Sequence, residues 1–128
     1  MTDSDSPSRT VTFVTRAAWG AWIAQVPPGE RETGVKRRDL RRAIAAGPIQ
    51  VRYAAEGRAC RQACWVLEVS AHGLTLRAPR SVPEGAFVDV WWPDEAQMLR
   101  LRGDVAHCTE TVGGYKLGVK LDLPETAP

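Results

Sequence analysis

From about residue 48 onward, apolar and polar positions alternate in short runs, the period-two signature of strands with one buried face. The alternation is clearest in LTLRA, FVDVW and MLRLR. It predicts strands at 49–54 (IQVRYA), 59–69 (ACRQACWVLEV), 73–78 (GLTLRA), 87–92 (FVDVWW), 98–108 (MLRLRGDVAHC) and 114–122 (GYKLGVKLD). Turn residues fall between them: Glu56-Gly57, Ser70 to Gly73, Pro83-Glu84-Gly85, Pro93-Asp94-Glu95 and Gly113-Gly114. Six short strands at regular spacing point to a small antiparallel barrel or sandwich, and closure would remove the exposed edges of a meander.

The N-terminal part follows a different period. Trp19, Trp22, Ile23 and Val26 share one helix face, and Pro27, Pro28 and Gly29 end the pattern. VTFVT at 11–15 reads equally well as the start of a strand. The tryptophan stripe either packs against the domain or forms a face for a partner or a second copy. Residues 1–10 are a polar tail. Residues 30–42, ERETGVKRRDLRR, form a charged linker with only Val35 and Leu40 to pack, expected to stay mobile until an anion neutralises it. The division is therefore 1–29 as an N-terminal extension with a short tryptophan-bearing helix, 30–42 as a basic ligand-binding linker, 43–123 as the strand-rich body and 124–128 as a tail.

The chain has 128 residues, 44% hydrophobic and 25% charged, a balance suited to one globular domain rather than a disordered chain or a large enzyme. No apolar run reaches the roughly 18 residues of a membrane span. The start, MTDSDSPSRT, lacks the basic and apolar regions of a secretory signal, so a cytoplasmic location is expected. Cys60, Cys64 and Cys108 include no C-x-x-C pair, and a disulfide framework is not expected in such a chain. Cys60 and Cys64 lie about 13 Å apart on one strand face, too far to share a zinc ion. No metal site, no cofactor and no catalytic triad, phosphate loop or carboxylate pair is read from the sequence, which points away from an enzyme.

Charge is concentrated rather than spread. The whole chain carries +2, yet KRRDLRR at 36–42 holds five bases and one acid. That fits a local anion site better than a long nucleic-acid face. The run contains R-x-x-x-R twice, as Arg37 with Arg41 and Arg38 with Arg42. Guanidinium groups pair bidentately with phosphate or with the O6/N7 edge of guanine, and they stack on bases. Downstream, EVSAHG at 68–73 sits at a strand-to-strand corner. There Ser70 offers a hydroxyl to a phosphate, and Gly73 offers positive φ and close backbone approach. Together these segments make a candidate cradle for a guanine nucleotide.

These motifs resemble the PilZ domain, a bacterial receptor module for cyclic di-GMP. The resemblance covers residues 37 to 122. It rests on Arg38-Asp39-Leu40-Arg41-Arg42 preceded by Arg37, on Glu68-Val69-Ser70-Ala71-His72-Gly73 as the [D/N]xSxxG element, and on the closing strand Gly114 to Leu121. It implies a mainly β fold, a six-stranded antiparallel barrel with the N-terminal helix as an extension. It also implies cyclic di-GMP as the ligand. Arg38 and Arg42 would contact phosphates and guanine edges, and Arg37 would help a second, stacked ligand molecule. Glu68 and Ser70 would hold a guanine and a phosphate, Gly73 would keep the corner open, and a downstream protein partner would receive the signal.

Two features depart from the family pattern. Glu68 stands where Asp or Asn is usual, adding a methylene and a rotor. The short stretch after the last strand leaves no room for the C-terminal helix of many relatives, so the Trp19/Trp22 helix is expected to cover that surface. Two other readings stay open: a PilZ-like adaptor that binds no nucleotide, as in type IV pilus assembly, and nucleic-acid binding through KRRDLRR, which the low net charge disfavours.

Overall fold

The computed structural model describes residues 10–26 and 42–126, with side chains of the second stretch described from residue 47. Its order is β1 (Thr10–Phe13), α1 (Arg16–Ile23), β2 (Arg42–Ala55), β3 (Arg58–Ser70), β4 (Gly73–Ala78), β5 (Phe87–Asp94), β6 (Gln97–Thr111) and β7 (Gly114–Leu121). The fold is mainly β with one helix. The strands form one sheet in the order β1-β6-β5-β2-β3-β4-β7, and β6 also pairs with β7. All pairings among β2 to β7 are antiparallel, and the β6–β7 pairing closes them into a ring. Among the described residues no helix is long and apolar enough to cross a membrane.

The six strands expected from alternation are all present, and the sheet has a seventh. Thr10–Phe13, the segment open to either reading, pairs in parallel with Gln97–Arg100 of β6. β6 has 15 residues. Its first turns of pleat take β1 on one edge, and its second half takes β7 on that same side.

β2 begins at Arg42, not at Ile49. The Gly47-Pro48 pair resembles a strand stop. The strand passes through it with register shifts between Ala43 and Ala46 and between Ala46 and Ile49. Gly47 has φ +149, and a Cβ there would lie 2.8 Å from Trp65 Cδ1, so only glycine suits this crossing.

The inward side chains are those the alternation picks out. Val51, Val66, Leu76, Val88, Val90, Leu101, Val105 and Leu117 are all nearly inaccessible. Gln62 is the polar exception. Its amide donates to Tyr53 Oη at 3.1 Å and to the Arg80 carbonyl at 3.0 Å, and accepts from Arg80 N at 2.9 Å. These bonds hold the β4–β5 connection against β3 and satisfy a buried amide.

The tryptophan helix packs on the domain. Thr15 caps it, its Oγ1 accepting from Ala18 N at 3.2 Å. Trp19 is 1% exposed and stacks on Trp22 with centroids 5.1 Å apart. Both rings meet Trp92 of β5 edge-on, at 6.0 and 5.3 Å. The Trp19 indole N–H donates to the Ser70 carbonyl at 2.9 Å. α1 therefore rests against the ends of β3 and β5.

A second aromatic group lies on the outer face. Trp91 is sandwiched between the guanidiniums of Arg52 and Arg100, each 4.3 Å from its ring centroid. Arg100 also covers Phe13 and pairs with Asp89, which ties β1 to the sheet.

Candidate functional site

The β2–β3 pairing brings the two sequence motifs together. Arg42 lies opposite Val69, and Ala43 lies opposite Glu68. The end of the arginine run thus enters the sheet directly beside the EVSAHG corner. Arg42 is placed here by its backbone. Arg37 and Arg38 lie outside the described residues, as does the expected mobility of the linker.

A bulge decides which way Glu68 faces. Along β3, Gln62, Cys64 and Val66 are buried in alternation, and strict continuation would drive Glu68 into the core. The register shift between Val66 and Glu68 places Leu67 as an extra residue against β4. Alternation resets: Leu67 is exposed, Glu68 is half-buried, and Val69 returns to the core. The carboxylate is thereby kept on the outer face without costing a charge in the interior.

At the corner, Ser70 pairs with Gly73 across a two-residue turn of Ala71 and His72. The Ser70 hydroxyl contacts the Gly73 carbonyl at 3.4 Å, a long bond that its rotor can exchange for another acceptor. The His72 carbonyl accepts from Leu121 N at 2.8 Å, anchoring the turn to the closing strand. Gly73 corrects an expectation. It is not among the positive-φ glycines. Its need is for space: a Cβ would lie 2.9 Å from the Val119 carbonyl oxygen of β7. The predicted close approach is real, but it is to the protein's own backbone.

Register extends the site across the outer face. Glu68 pairs with Thr75, Thr75 with Gly118, and Gly118 with His107, forming one row over β3, β4, β7 and β6. The row below is Ser70, Gly73, Lys120 and Asp104. Residues directly opposite in antiparallel strands share a face; on it Glu68 is half-buried and Asp104, His107 and Lys120 are exposed, while Ser70 and Thr75 are each only 7% exposed. The exposed His107 ring covers Gly118, where a Cβ would collide with it. Glycine at 118 thus lets an imidazole lie over the strand. Thr75, His107, Gly118 and Lys120 are additions to the sequence-derived set. Gly118 and Lys120 lie in the closing strand that carries the family resemblance, and Thr75 in the alternating LTLRA run, but none of them has a ligand role in the sequence. All four become neighbours of the corner only through pairing across β3, β4, β7 and β6.

The two rows set acceptors, the Glu68 and Asp104 carboxylates, beside donors, the Lys120 ammonium and the serine and threonine hydroxyls, with the His107 imidazole at the end. Among the described residues, no three His, Cys, Asp or Glu side chains gather as metal ligands. Cys64 is fully buried, and burial pushes its thiol up from 9.0 to about 12. The sign of its pH effect follows. The protonated thiol is retained in the folded state, so its contribution is fully present below pH 9 and lost as pH rises toward 12. Denaturation midpoints should fall more steeply above about pH 9 in wild type than in Cys64→Ala. Equal slopes would contradict this account.

No curated protein matches the chain. The PilZ domain profile matches residues 36–127. That stretch takes in the arginine run from Lys36, the bulged β3 with its Glu68-to-Gly73 corner, and the closing strand β7. The chain belongs to the PilZ domain family.

Proposed function

We propose that this protein is a cyclic di-GMP receptor that signals by conformational change to a protein partner, with no catalytic step of its own. The family is associated with cyclic di-GMP, and the observation that carries the reading here is the β2–β3 register. It sets Arg42 and Ala43 opposite Val69 and Glu68, so an arginine run and a carboxylate–hydroxyl corner can meet on one ligand. Arg38 and Arg42 take phosphates and guanine edges, and Arg37 supports a second stacked molecule. Glu68 accepts from guanine donors, Ser70 bonds a phosphate, and Gly73 holds the corner close to β7. We read the closed ring as the family's barrel, with α1 as its cover.

Output passes through Ser70. Its hydroxyl belongs to the corner, and its carbonyl accepts the Trp19 indole bond. A ligand that turns this residue acts directly on the helix docked over it. Residues 24–41 join that helix to β2, so drawing the arginines onto the ligand also pulls on α1. The partner then reads the altered outer surface around α1, where Trp22 is half-buried.

Isothermal titration with cyclic di-GMP tests the reading. Wild type should bind with a Kd near the micromolar range, because ordering the linker costs part of the interaction energy. Arg38→Ala and Arg42→Ala should each lose about 1.5–3 kcal/mol, with unfolding transitions close to wild type. Wild-type affinity in both variants would contradict the arginine assignment. The longer Glu68 favours one rival, an adaptor without nucleotide. No heat of binding for wild type, with the fold intact, would support that rival.

A further inference from the structure

Five tryptophans are present in the chain. Trp19, Trp22 and Trp92 cover one another, and Trp91 lies between two guanidiniums. Trp65 differs. It is 45% exposed on the outer side of β3, and no ring or guanidinium among the described residues covers it. Its indole lies across β2 at Gly47, whose missing Cβ would otherwise stand 2.8 Å from Trp65 Cδ1. The ring is thus backed by strand on one side and open on the other.

Trp65 forms one wall of an open groove of about 640 Å³, lined also by Gly47, Leu67, Arg77, Pro79 and Gly113. Arg77 is the charged group within it. Trp65 and Arg77 are direct partners in the β3–β4 register. The Arg77 guanidinium is fixed over the tip of the β6–β7 hairpin, its Nη2 donating to the Val112 carbonyl at 3.3 Å. Gly113, at φ +83, makes room: a Cβ there would lie 2.9 Å from Nη2. Among the described residues no carboxylate pairs with Arg77.

An open aromatic face beside a positioned guanidinium suits a planar base carrying a phosphate. A purely apolar peptide would leave Arg77 desolvated and unpaired. The groove also continues the site. Trp65 precedes Glu68 by three residues, about 10 Å along the strand, within reach of one dinucleotide ligand or of two stacked ones. We propose that this groove seats a guanine base of the bound cyclic dinucleotide, stacked on Trp65, with Arg77 pairing its phosphate. The assignment rests on the ligand reading above and extends it to a second set of contacts.

Titration of cyclic di-GMP into wild type, Trp65→Ala, Trp65→Phe and Arg77→Ala tests the groove. Loss of one base stack predicts about a ten- to hundredfold weaker Kd for Trp65→Ala. Trp65→Phe should recover most of it, because a smaller ring still stacks. Arg77→Ala should weaken binding and flatten its salt dependence. Phe87→Ala, an exposed aromatic on β5 outside the groove, should bind as wild type. Melting curves of all variants, each expected to stay folded, separate binding from stability. Wild-type affinity in both Trp65→Ala and Arg77→Ala would overturn this inference and leave the receptor reading intact. Failure of wild type itself to bind would overturn both.

Discussion

Trp19→Ala should lower the unfolding free energy by about 3–5 kcal/mol, the usual cost of deleting a buried aromatic. Several effects act at this one position. The ring is 1% exposed, so the cavity left behind is surrounded by packed atoms. Trp22 and Trp92 each lose a ring partner. The Ser70 carbonyl loses its indole donor at 2.9 Å. For a chain of 128 residues this corresponds to a drop of roughly 10–25 °C in the melting temperature. Trp19→Phe should cost less, since it keeps most of the packing and loses the hydrogen bond. A Trp19→Ala variant melting within a few degrees of wild type would mean that α1 does not stay docked in solution. The route from the corner to the helix would then be lost.

Gly103→Ala should cost about 3 kcal/mol, at the upper end for overpacking. Gly103 lies on β6 between Val88 of β5 and Leu121 of β7. A Cβ there would collide with the Lys120 carbonyl oxygen and crowd Leu121 Cα, both backbone atoms. Neither can swing aside, because the β6–β7 and β5–β6 ladders fix them on both edges. Gly118→Ala is the natural comparison. The nearest atoms its Cβ would meet belong to the exposed His107 ring, the end of a side chain rather than backbone. Thermal melts should therefore rank Gly103→Ala well below Gly118→Ala. The reverse order would place the tight crossing at the wrong strand pair.

Much of this architecture is legible in the order of residues, because a strand buried on one face must alternate. LTLRA, FVDVW and MLRLR became β4, β5 and part of β6 on that basis. Three features escaped, for different physical reasons. β1 is short, and its strand identity comes from the free edge of β6 and from Arg100 over Phe13, both tertiary. The first third of β2 hides behind Gly47-Pro48, which signals a stop unless irregular pairing absorbs it. The bulge at Leu67 leaves no local mark, yet it alone turns Glu68 outward.

The site shows the same division. Glu68, Ser70 and Gly73 form a contiguous motif and were readable as such. Thr75, Gly118 and His107 join it only through register across β4, β7 and β6. Spacing along the chain carries no trace of that register. Of the two reasons for a glycine at 73, positive φ and close backbone approach, only the second holds. The structure uses its lack of a side chain against the Val119 carbonyl of β7.

The receptor proposed here requires the arginine run and the corner to act on one ligand. A double-mutant cycle measures this most directly: cyclic di-GMP titrated into wild type, Arg42→Ala, Ser70→Ala and the double variant. Residues acting on the same bound phosphates should couple by about 0.5–3 kcal/mol, so the double variant departs from the sum of the single losses. Strictly additive losses, or binding insensitive to either substitution, would contradict the account.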